Sequence, residues 1–128
     1  MPLLLDTGPF AMILVDSPRL GGATRRRILA AQKVYVSAIT FYEIGQKVRF
    51  GKWDEMAPHA PGLPEAAAES DIEVLPLGAE VALAAALLDW PHRDPFDRIL
   101  AALARGLDMP LVSPDRAFDE IGVERVWD

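Results

Sequence analysis

Apolar residues fall along this chain in short runs separated by longer amphipathic stretches. Leu3-Leu4-Leu5 is continuous and too short for a helix, so it reads as a buried strand closed by the turn Asp6-Thr7-Gly8-Pro9. Phe10 to Val15 then reads as helical, Ser17-Pro18 as a helix start, and Ala23 to Gln32 as a further helical stretch. Val34-Tyr35-Val36 is β-branched and aromatic, which predicts a strand. Ser37 caps a helix running to about Phe50, and Gly51 stops it. The prolines between Pro58 and Pro64 predict a loop or broken helix, with helix from Pro64 to Ser70. Ile72 to Leu75 is a strand closed by Pro76, and Gly78 to Asp89 an alanine-leucine helix. Asp94-Pro95 opens a helix ending near Gly106. Leu111-Val112 is a strand, Ser113-Pro114 opens a short helix, and Val123 to Trp127 is a final strand.

Strands and helices alternate from end to end. This predicts an α/β fold with a central, mostly parallel sheet and helices on both faces, a three-layer α/β/α sandwich. Residues 1–128 read as one domain, without internal repeat or low-complexity tract. About half of the residues are hydrophobic, enough for a core. The chain has no cysteine, which excludes disulfides and thiolate metal sites and suits a reducing cytoplasm. No apolar run approaches the ~20 residues of a membrane span, and the N-terminal segment lacks the basic region of a secretory signal. The formal net charge of −6 argues against a large basic surface for nucleic acid. It leaves room for a small basic patch beside an acidic site. No glycine-rich phosphate loop occurs, so a bound nucleotide cofactor is not expected.

Four acids stand out. Asp6 and Asp115 follow predicted strands, Glu43 lies among apolar residues on the helix after the second strand, and Asp97 falls in the first turn of its helix. In parallel α/β folds ligands bind beyond the carboxyl ends of the strands, where all four acids can meet. Carboxylates gathered there repel one another and call for protons or cations. Mg²⁺ or Mn²⁺, which prefer oxygen ligands, would answer that need and activate water against a phosphodiester without a histidine base. Each acid also has a structural reading. Asp6 holds a turn, Glu43 pairs with Lys47, Asp94 caps a helix before Pro95, and Asp97 and Asp115 complement helix dipoles. Four acids at one sheet edge exceed what capping alone requires.

These segments together resemble the PIN-domain ribonucleases, and among them the VapC toxins of VapBC toxin–antitoxin pairs. Leu5-Asp6-Thr7 is similar to the first-acid segment, and Val36-Ser37-Ala38 through Glu43-Ile44, with Lys47 to Lys52, to the second-acid helix. His92-Arg93-Asp94-Pro95-Phe96-Asp97-Arg98 resembles a VapC subgroup signature, and Ser113-Pro114-Asp115 to Phe118 the fourth-acid segment. The resemblance spans nearly the whole chain, with two departures. Gly8 stands where many relatives carry a polar side chain, and Ser113 where threonine is commoner.

The resemblance implies a PIN-like fold and a metal-dependent endoribonuclease. Asp6, Glu43, Asp97 and Asp115 would be metal ligands. Asp94, Thr7 and Ser113 would support them. Lys47, Arg49, Lys52, Arg93 and Arg98 are candidates for RNA phosphate contact, Arg98 above all because it adjoins Asp97, although an ion pair with Asp94 is open to it as well. The implied partners are an RNA substrate, a VapB-like antitoxin, operator DNA through that antitoxin, and a second copy in a homodimer. Apolar residues from Phe10 to Leu14, with Phe41, Tyr42, Val48, Phe50 and Trp53, include candidates for a groove that takes an antitoxin helix. A competing reading is a non-catalytic partner that docks an antitoxin and regulates its DNA binding. A receiver-like phosphotransfer domain is disfavoured, because it would want an adjacent acid pair after the first strand and a lysine after a late one.

Overall fold

In the computed structural model, which describes residues 1–128, the three leucines after Pro2 form strand β1 (Leu3–Leu5). Their side chains divide between the faces of the sheet. Leu3 and Leu5 pack with Phe10, Val36, Ile44, Met56 and Val112, whereas Leu4 packs with Leu100, Leu103, Leu111 and Phe118. This is the two-residue period of a strand covered on both sides, so the run is uniformly apolar.

Around β1 lie β2 (Val34–Ser37), β3 (Ile72–Leu75), β4 (Leu111–Val112) and β5 (Arg125–Val126), in the order β3-β2-β1-β4-β5. All four pairings are parallel. The chain first builds outward from β1 through β2 to β3, then returns to lay β4 on the other side of β1. The strand order therefore reverses between β1 and β4, and the crevice beyond their carboxyl ends is the expected ligand position in such a sheet. Asp6 directly follows β1, and Asp115 lies three residues beyond Val112 of β4.

Six helices cover the sheet: α1 (Thr7–Leu14), α2 (Gly22–Ala30), α3 (Ala38–Arg49), α4 (Leu63–Glu69), α5 (Ala79–Leu87) and α6 (Pro95–Leu107). The α6 helix buries Leu100, Ala101, Leu103 and Ala104, one face at helical spacing, and closes at Asp108 in the left-handed conformation. Gly51 follows α3 with φ +70, a conformation that glycine adopts without strain. None of these helices is long and apolar enough to cross a membrane.

Several local expectations change. Helix α1 begins at Thr7 rather than Phe10, because Asp6 caps it and Phe10 N–H already reaches the Asp6 carbonyl. Pro9 is tolerated there, since N–H groups of the first turn have no intrahelical acceptor. Ser17-Pro18 opens no helix, as the Ser17 hydroxyl instead accepts from Arg19 N–H and closes a turn. Helix α2 starts behind Gly21, and its Thr24 N–H donates to Asp128 Oδ1 at 2.7 Å. A Cβ at Gly21 would collide with that carboxylate. Two 3-10 turns, Asp54–Met56 and Ala60–Gly62, precede α4, which takes in Leu63. Helix α5 ends at Leu87, and the expected helix after Ser113 is a 3-10 helix, Arg116–Ile121, capped by Asp115 instead.

Candidate active site

Each acid reaches the crevice because a local structural need fixes its backbone. Asp6 is the N-cap of α1, its Oδ1 accepting from Thr7 N–H at 2.7 Å. Its Oδ2 accepts from the buried Ser113 hydroxyl, also at 2.7 Å. The same Ser113 Oγ accepts from Asp115 N–H at 3.0 Å, so one hydroxyl ties the ends of β1 and β4 together. Asp115 in turn caps the 3-10 helix, accepting from Ala117 N–H.

Glu43 arrives from α3 and is 6% exposed, the only acidic residue within the core. Burial at that level requires partners. Its Oε1 accepts from Thr7 Oγ1 at 2.7 Å, and its Oε2 from Lys47 Nζ at 2.8 Å. Thr40, fully buried, shares a hydrogen bond with the Thr7 hydroxyl. Burial would lower the Lys47 ammonium, but the hydrogen bond and charge of Glu43, with Asp94 and Asp97 beyond, leave it above its ordinary range.

Asp97 lies in the first turn of α6, where Asp94 accepts from Phe96 N–H as N-cap and Pro95 follows. Its Oδ2 lies 2.7 Å from His92 Nε2. Burial pushes the Asp97 carboxyl up to about 6, opposed by the His92 hydrogen bond and assisted by the charges of Asp94 and Asp6. Burial also raises Asp6, against the Ser113 and Thr7 hydrogen bonds and with the charges of Glu43 and Asp115. Asp6 thus senses all three other acids, and the four form one connected electrostatic group. One ligand atom each from His92, Asp97 and Asp115 falls within 4.8 Å of the others. Carboxylate oxygens gathered this closely, two of them on acids whose ionisation burial disfavours, suit a hard divalent cation.

The basic candidates separate. Lys47 is committed to Glu43, while Arg49, Lys52 and Arg93 are exposed. Arg98 is committed to the backbone. All five of its N–H donors go to backbone carbonyls: Nε to Ala85, Nη1 to Trp90 and His92, and Nη2 to Ala86 and Leu88. It closes the carboxyl end of α5 and pins the segment leading to His92, and it makes no ion pair with Asp94. Among the candidate groove residues, Phe10 is buried and meets Phe41 edge-on, and Val48 and Trp53 pack on the same core. Only Tyr42 and Phe50 are exposed, at 60% and 56%.

Sequence reasoning passed over three contributors. Thr40 looked like an ordinary helical threonine. Trp90 stacks on His92, with ring centres 4.6 Å apart. His92 was set aside because water activation needs no histidine base, yet it lies five residues before Asp97 within the same motif.

A family model described as PIN domain matches residues 3–124. Among solved structures, the chain is similar to VapBC2 of Rickettsia felis bound to a promoter DNA fragment, at TM-score 0.70 and 17% identity, covering 100% of both chains. It is similar to VapC20 of Mycobacterium tuberculosis, a sarcin–ricin loop cleaving toxin, at TM-score 0.68 and 18% identity, over 98% of this chain and 99% of that one. DNA-bound VapBC of Salmonella typhimurium gives TM-score 0.68 at 19% identity, over 98% and 97%. At these identities the likeness is one of fold. No curated protein matches the chain by sequence.

Proposed function

Because this chain belongs to the PIN domain family, we propose that it is a metal-dependent endoribonuclease and the toxin of a type II toxin–antitoxin pair. The observation that carries this reading is the connected set of Asp6, Glu43, Asp97 and Asp115 at the point where the strand order reverses. Asp6, Asp97 and Asp115 would hold Mg²⁺ or Mn²⁺, with Glu43 as the fourth acid. When bound, such an ion lowers the pKa of a water molecule and offsets negative charge on the phosphoryl oxygens.

The chain's own residues supply the rest. Ser113 and Thr7 fix two of the acids through their hydroxyls, and Asp94 fixes the start of α6 beneath Asp97. Arg49, Lys52 and Arg93 are free to meet RNA phosphates, and Lys47 can turn toward substrate from Glu43. Arg98, with its donors on backbone carbonyls, would serve the chain connection rather than RNA. Structured RNA is a reasonable target class, because the Mycobacterium tuberculosis relative cleaves the sarcin–ricin loop. A VapB-like antitoxin is the expected partner, with operator DNA reached through it and a homodimer as the working form.

The test is RNA cleavage by the purified, antitoxin-free chain with Mg²⁺ or Mn²⁺ against EDTA, beside Asp6→Asn and Asp97→Asn. Metal-dependent cutting that both substitutions abolish is expected. Folded protein that leaves a broad RNA pool, sarcin–ricin RNA included, uncut would overturn the proposal in favour of a non-catalytic antitoxin-docking partner.

A further inference from the structure

His92 is the one member of the acid site that the carboxylates do not themselves account for, and it is held from three directions. Its carbonyl accepts from Arg98 Nη1 at 2.9 Å. Its ring stacks on Trp90, with ring planes 23° apart. Trp90 is itself fixed by its indole N–H donating to Glu120, by Arg98 on its carbonyl, and by packing on Phe118. The third hold is the contact of Nε2 with Asp97 Oδ2. Fixing a side chain this fully costs conformational entropy, and an exposed loop histidine without a task would not need it.

An ionised carboxylate only accepts hydrogen bonds, so Nε2 carries the proton and donates when Asp97 is ionised. The ring therefore occupies Oδ2 and leaves Oδ1. We infer that His92 is a positioning residue for Asp97: it holds one carboxylate oxygen so that the other is presented to the cation. The inference rests on the metal reading above. Direct coordination by the imidazole is the less suitable role. Mg²⁺ and Mn²⁺ favour oxygen, and Nε2 is the very atom already engaged. The Arg98 clamp gains a purpose in the same arrangement. By closing α5 and gripping residues 88 to 92, it delivers the ring to the first turn of its own helix.

The experiment is Mn²⁺ binding to the full chain without RNA, followed by electron paramagnetic resonance, for wild type, His92→Phe and His92→Gln. His92→Phe keeps an aromatic ring on Trp90 but deletes the donor. His92→Gln restores an N–H. Partners that orient ligating groups are typically worth about 10- to 100-fold in metal affinity. His92→Phe should lose affinity in that range and His92→Gln should recover most of it. Unchanged affinity in His92→Phe overturns the inference. Equal loss in both variants also overturns it, in favour of nitrogen coordination. Thermal melting checks that each variant is folded, and His92→Ala gives the same readout should the phenylalanine fail to fit. A wild-type chain that binds no Mn²⁺ would reject the metal reading itself, a result distinct from either variant outcome.

Discussion

The two halves of the acid site accommodate negative charge in opposite ways. On the α3 side, Glu43 has both oxygens taken by Thr7 and Lys47, at 2.7 and 2.8 Å, and the lysine supplies a full compensating charge. On the α6 side, Asp97 meets only His92, and burial leaves its carboxyl pushed up to about 6. One half is neutralised from within, and the other is left wanting a proton or a cation. Clustered carboxylates do not by themselves define a metal site. The cation-ready part is the part that the protein declines to neutralise.

If this division holds, the two acids should differ sharply as targets. Asp97→Asn should lower metal-dependent RNA cleavage by about two to three orders of magnitude, comparable to removing one charge-stabilising group from an active site. Glu43→Gln should cost roughly tenfold, the scale of a group that orients its neighbours. Single-turnover cleavage rates at saturating Mn²⁺ measure both. Equal losses would show that Lys47 yields Glu43 to the cation and that the halves are not distinct.

The α6 half also depends on Arg98, which touches none of the acids. Lysine offers three donors on a flexible stem and cannot span five carbonyls spread from Ala85 to His92. Arg98→Lys should destabilise the fold by about 3 kcal/mol, through carbonyls left without partners. Urea unfolding reads the loss. Mn²⁺ affinity should fall as well, since the segment carrying His92 is released, whereas Lys47 should remain on Glu43.

Arg98 also marks where the sequence stops being legible. The strands and their order of appearance follow from apolar runs and turn residues, because those signals are local. Asp94-Pro95 fixes the start of α6 within one residue for the same reason. Its position beside Asp97 makes the arginine a candidate for phosphate contact or for an ion pair with Asp94, but its acceptors lie on α5 and the loop after it, up to 13 residues away. Likewise the Asp6–Ser113 bond spans 107 positions and the Thr7–Glu43 bond 36. The expected helix start at Ser17 failed because the hydroxyl found Arg19 instead. The Ser113 hydroxyl donates to Asp6 and accepts from Asp115 N–H, and the helix begins two residues later with Asp115 as its cap. Hydroxyls and guanidiniums choose partners in space, and period or spacing along the chain does not record the choice.

A smaller effect probes the neutralised half. Lys47→Met removes the ammonium while keeping much of the apolar stem. The cation then binds without an adjacent positive charge, so Mn²⁺ affinity should tighten severalfold. The metal-free protein should melt lower, because Glu43 is left buried and unpaired. Weaker Mn²⁺ binding in Lys47→Met would mean that the lysine organises the site rather than competing for it.

The smallest effect separates the halves by pH in the absence of metal. Asp97 ionises near 3.8 in the unfolded chain and about 6 in the folded one. Between those values the folded state binds more protons, so stability falls as pH rises through the window and levels off above it. Asn at this position has no proton to lose. The melting temperature of wild type minus that of Asp97→Asn, in EDTA, should therefore decline from pH 4 to pH 6.5 by a few degrees and then stay flat. Lowered carboxyls elsewhere, such as Asp119 beside Arg125 and Asp128 beside Thr24, work in the opposite direction but are common to both proteins and cancel. Saturating Mg²⁺ should raise wild type more than Asp97→Asn at pH 7, and less so at pH 5, where protons compete for the same oxygens. A difference that stayed constant with pH would mean that Asp97 is ionised throughout, its charge already satisfied by His92. The α6 half would then be as closed as the α3 half, with nothing left over for a cation to neutralise.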